Sequence, residues 1–67
     1  MVRAKYQDVL DLGETLNIQN GDVNEKDGVL QVTGTAATQY DKNLIWDKIK
    51  EAGGDNPTDI MADIKVA

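Results

Sequence analysis

Hydrophobic and polar residues alternate along this chain with two different periods, and the switches between them predict its elements. Val2, Tyr6, Val9, Leu10, Gly13 and Leu16 share one side of a helix turning 100° per residue, with Gln7, Asp8, Asp11 and Glu14 opposite. That spacing predicts an amphipathic helix over about 2–16, roughly four turns. Residues 17–21, NIQNG, are rich in turn formers and read as a break. Val23 and Glu25 then share one parity, Leu30 and Val32 another, around Asp27-Gly28. An Asp-Gly pair supplies the positive φ values of a two-residue hairpin loop, so an antiparallel hairpin is expected over about 22–35. Glu25 takes a position meant for a core residue, and should lie at the sheet margin or have a partner.

From about 37 to 52 the period becomes helical again, with Ile45, Ile49 and Ala52 as a narrow apolar stripe and Leu44 and Trp46 on its flanks. Thr35 or Thr38 is the expected N-cap, and Gly53-Gly54 the stop. Ile60, Ala62, Ile64 and Val66 alternate with Met61, Asp63 and Lys65, predicting a strand over about 59–66. The expected fold class is α+β: one small domain, helix-strand-strand-helix-strand, with both helices on one face of a three-stranded sheet. A helical crossover returns the chain parallel to the strand it left, so the sheet should be mixed. Strand order stays open.

Composition narrows the chemistry. Sixty-seven residues without Cys or His leave no disulfide, no thiolate zinc site and no imidazole base. Seven basic against twelve acidic residues give a net charge of −5. This speaks against nucleic acid as a partner and makes contact with an anionic membrane surface weak. No apolar run is long enough to span a bilayer, and no signal peptide is visible. A cytoplasmic location is expected if Met1 is the natural start, and the periplasm or envelope otherwise. The expected state is a monomer.

The hairpin DVNEKDGVLQVTGTA, set between two helices and followed by a final strand, resembles the BON domain. The positions that carry the likeness are Val23, Asp27-Gly28, Leu30, Val32 and Gly34, then Tyr40–Ala52, Gly53-Gly54 and Ile60–Val66. The second half, TQYDKNLIWDKIKEAGGDNPTDIMADIKV, looks most like the BON-like module that precedes a LysM domain in small bacterial proteins. The resemblance implies a non-enzymatic binding module that is accessory to a glycan-binding LysM neighbour or an envelope surface. It also implies that the chain is the N-terminal module of a longer protein. BON–LysM proteins are further associated with potassium. Two departures from the pattern are Glu25 and the polar turn Gly53-Gly54-Asp55-Asn56-Pro57.

Each candidate site has a plainer reading beside it. Asp22-x-Asn24-x-Lys26-Asp27-Gly28 fails as a calcium loop, because Asp27 stands sixth where Gly is needed and Thr33 twelfth where Glu is needed. Backbone carbonyls at Asn20, Gly21, Gly53, Gly54 and Asp55 are candidates for holding a potassium ion; ordinary turns explain the same residues. Asp41, Asp47 and Glu51 interleave with Lys42, Lys48 and Lys50, as a solvated helix face does, so no catalytic pair and no enzyme activity is expected. Trp46 is either an anchor for a partner domain or a cover for the edge between the helices. The remaining reading is a structural spacer that binds nothing.

Overall fold

The computed structural model describes residues 2–67. Its elements are α1 (Val2–Lys5), α2 (Gln7–Thr15), β1 (Gln19–Lys26), β2 (Val29–Ala36), α3 (Gln39–Gly53) and β3 (Ile60–Val66). The sheet order is β1-β2-β3, with β1 antiparallel and β3 parallel to β2. The fold is therefore α+β with a mixed three-stranded sheet, as the periodicity predicts.

The hairpin turns at Asp27 (φ 54°) and Gly28 (φ 77°), and Lys26 pairs with Val29 across the loop. Positive φ at both loop residues gives the type I′ twist that matches the strands on either side. Leu30, Val32, Gly34 and Ala36 are buried along one parity of β2, and Ile60 and Ile64 along β3. Gln31, Thr33, Met61, Asp63 and Lys65, on the other parity, are exposed. All the helices thus pack on one face, and Val9, Ile45 and Ile49 complete the core beneath them.

Two boundaries differ from the sequence expectation. The first helix is not continuous: it breaks at Tyr6 (φ −106°, ψ 20°). The Tyr6 amide is shared between the carbonyls of Val2 and Arg3, at 3.2 Å each, which tightens the turn there. The break lets Tyr6 bury its ring completely and bring its hydroxyl to Asp59, ahead of β3. The second difference lies at 17–21, where one break was expected and two devices occur. Asn17 (φ 57°) ends α2 in a Schellman motif, with Asn17 N–H donating to Glu14 O and Ile18 N–H to Gly13 O. The strand begins directly afterwards at Gln19, and Asn20-Gly21 is a bulge rather than a turn. Gln19 pairs with Thr35 and Asp22 with Thr33, so two residues of β1 face Gly34 alone. Gly34 has to be glycine: a Cβ there would lie 2.5 Å from Ile18 Cγ2.

Thr38 is the N-cap of α3, its hydroxyl accepting the Asp41 N–H at 3.1 Å. Gly54, at φ 87°, closes the helix by donating to Lys50 O at 2.8 Å.

Candidate functional site

The helices roof the sheet unevenly. α3 lies over β2 and β3 and α1 reaches β2, whereas α2 leans on α3 rather than on β1. Between α2 and β1 runs an open groove of about 460 Å³. Val9 and Leu10 from α2, Ile18, and Val23 from β1 form its apolar walls, and Val32, Ile45 and Ile64 lie at its base. Asp11 and Glu14 on α2 rim it, with Arg3 and Gln7 also at its margin, and Asp22 borders it from β1 on the parity of Thr33, which faces away from the helices. Among the described residues, the ion pairs are Lys5–Asp59 and Lys48–Glu51, so these three carboxylates and Arg3 form none.

The local sequence explains the gap. β1 reads QNGDVNEK, and Val23 is its only half-buried residue, the other seven being exposed. A strand with one apolar side chain offers α2 too little surface to settle on. Beside it stands Glu25 at the core parity, and its position is now explained. It lies on an exposed edge strand, and its Oε1 accepts the Arg3 N–H at 3.2 Å, capping an otherwise orphaned amide in the first turn of α1.

On the opposite flank the molecule is closed. Lys5 Nζ lies 2.6 Å from Asp59 Oδ2, and the Tyr6 hydroxyl donates to Asp59 Oδ1. The hydrogen bonds from Lys5 and Tyr6 hold the Asp59 carboxyl below its ordinary range. Burial, reinforced by the Asp59 carboxylate, pushes the Tyr6 phenol up to about 12. Gly53 lies against this pair: a Cβ there would collide with the Tyr6 hydroxyl and come within 2.9 Å of Pro57 Cβ. Neither Tyr6 nor Asp59 lines the groove.

The five potassium candidates do not converge. Asn20 and Gly21 form the bulge opposite Gly34, and Asn20 borders a shallow depression of about 320 Å³ with Asp63 and Lys65. Gly53, Gly54 and Asp55 end α3 and lead towards Ile60. The ladder sets Gly34 beside Ile64 and Leu30 beside Ile60, four residues or ~13 Å apart along the sheet. No group of three or more acidic side chains able to hold a metal ion occurs among the described residues. Trp46 is half-buried against the core, while Tyr40 is 70 % exposed. The charged face of α3 carries one of its expected ion pairs, Lys48 with Glu51 at 3.5 Å.

Sequence reasoning missed the groove and the Tyr6–Asp59–Lys5 cluster. The scarcity of apolar residues in QNGDVNEK was the available signal for the groove, since it marks a strand that the helices would leave uncovered. Nothing in the pattern distinguishes Asp59 from the other acidic residues of the loop. No helix among the described residues is long and apolar enough to cross a membrane. Comparison with protein-family models, curated proteins and solved structures finds no match to this chain.

Proposed function

We propose that this domain is a binding module rather than an enzyme, as the BON resemblance implies, and that it seats its partner in the groove between α2 and β1. The observation that carries this reading is the groove itself: an apolar trough of about 460 Å³ left open on a chain of only 67 residues. Its volume lies within the range of ligand-binding clefts, and apolar walls with a few polar groups at the margin are their usual lining. A chain this small has little apolar surface to spare from its own core, so an uncovered trough is costly unless something fills it. The non-enzymatic part rests on the absence of His and Cys and on the position of the two perturbed groups. Tyr6 and Asp59 satisfy each other away from the groove. The setting is the one the resemblance implies, beside a glycan-binding neighbour or an envelope surface.

The test is an amide-resolved NMR titration with decyltrimethylammonium below its micelle concentration. Saturable shifts gathered at Val9, Leu10, Ile18 and Val23 are expected. Shifts that never saturate, or that gather on α3 around Trp46, would remove the groove as the site.

A further inference from the structure

The sheet has two free edges, and they differ in length and regularity. On β1, Lys26–Val29 closes the tight turn as a hydrogen-bonded pair, so alternation turns the backbone groups of Val23 and Glu25 away from β2. The bulge at Asn20-Gly21 cuts this edge short. On β3 the parallel ladder runs without interruption from Ile60 to Val66. Leu30 N–H donates to Asp59 O and Ala67 N–H to Ala36 O, both at 2.9 Å. Residues that face the neighbouring strand alternate in such a ladder, so Met61, Asp63 and Lys65 bond to β2 as well. Ile60, Ala62, Ile64 and Val66 therefore turn their N–H and C=O groups outward, and no strand of the described residues pairs with them there.

Exposed edges are ordinarily protected by a bulge, a proline or an unbalanced charge. β3 has no bulge and no proline, and its one lysine is matched by Asp63 two residues before it. It also holds Met61 and Val66, large apolar side chains left 63 % and 39 % exposed. We propose that the domain pairs with a second copy of itself through β3, the two sheets joining antiparallel across a twofold axis at Ile64. Charge sets this register. Centred on Ile64, Asp63 faces Lys65 of the second copy, and Lys65 faces its Asp63. Ala62 then lies opposite Val66 on the helix side, and the outward groups of Ala62, Ile64 and Val66 bond in pairs. Centring on Asp63 would set two aspartates against each other, and centring on Lys65 two lysines. The contact is isologous and closes on itself, giving one sheet of six strands from two of three. It leaves the groove open at each far end and does not depend on what fills it.

An edge-to-edge contact is small, and the −5 charge on each copy opposes it, so the expected Kd is roughly 0.3 mM. Sedimentation equilibrium of the 67-residue chain from about 0.02 to about 1 mM, in about 0.15 M salt, should carry the mean mass from one chain towards two. Over the same range, amide exchange at Ala62, Ile64 and Val66 should slow about three-fold, with Val23 and Glu25 unchanged. Lys65→Glu sets carboxylates against each other on both sides of the axis and should weaken the dimer about ten-fold or more. The exchanged pair, Asp63→Lys with Lys65→Asp, restores opposite charges and should restore the dimer, which a merely local effect on β3 would not. If Lys65→Glu fails to melt cooperatively, Asp63→Lys carries the same test. The mass of one chain at every concentration, the monomer expected from the sequence, would overturn the proposal. So would a dimer that slows exchange at Val23 and Glu25 instead, or one that both charge variants leave intact.

Discussion

The two flanks of the sheet are built to opposite ends. On the β3 side, α3 roofs the strands, Ile60 and Ile64 are buried, and Tyr6, Lys5 and Asp59 tie α1 to the loop before the strand. On the β1 side, the strand buries almost nothing, the helix above it stands off, and the rim charges form no ion pair among the described residues. The central strand β2 serves both, pairing with β1 on one edge and β3 on the other. Stability is thus concentrated in the parallel half, which leaves the outer hairpin strand free to remain polar and uncovered. The contrast teaches that in so small a domain the apolar residues gather on one flank, and the other keeps an exposed strand edge beside an open groove.

Removing the element shared by both flanks should have the largest effect. Leu30 is fully buried in β2, and Leu30→Asp places an unpaired charge there. Its cost matches or exceeds the ~3–10 kcal/mol expected for a chain of this size, so circular dichroism should show no cooperative melt. A folded variant would contradict the register of the sheet. Next comes the closed flank alone. Gly53→Ala drives a methyl into the Tyr6 hydroxyl and Pro57, which should cost about 2 kcal/mol and lower Tm by about 10 °C.

The same cluster makes stability depend on pH. Asp59 is held below its ordinary value of 3.8, so its contribution is complete above that pH and is lost as the pH falls through the depressed value. Tyr6 is raised from 10.0 to about 12, so its contribution is complete below pH 10 and lost as the pH climbs towards 12. Thermal melts across pH should lose part of the acid slope in Asp59→Asn and part of the alkaline slope in Tyr6→Phe. Unchanged slopes would show that the cluster does not couple these groups to folding. The smallest effect belongs to the open flank. Glu25→Val loses an exposed helix cap and should cost about 0.5 kcal/mol, read as a Tm lower by a few degrees. A stabilised variant would mean that the contact with the Arg3 amide contributes nothing.

The sequence made the closed flank's framework readable and left its cross-links hidden. Asp27-Gly28, the period-two pattern of β2 and β3 and the glycine stop of α3 are local signals, and each stands where the pattern put it. The parallel pairing of β2 and β3 followed from the crossover helix. The break at Tyr6 was not legible, because no Pro or Gly marks it: it is set by a contact with Asp59, 53 positions along the chain. Asn20-Gly21 read as a turn because the same residue types serve bulges, and only the partner strand distinguishes the two. The groove was least legible of all, since it depends on the space between elements rather than on any one of them.

Native-state hydrogen exchange on the unliganded chain tests the division into a closed and an open flank most directly. Amides that bond β2 to β3 should exchange only with global unfolding, while those of Val23 and Glu25 should exchange freely. Protection at Val23 and Glu25 equal to that of the β2–β3 ladder would contradict that division, because β1 would then be neither an open edge nor the side of a groove.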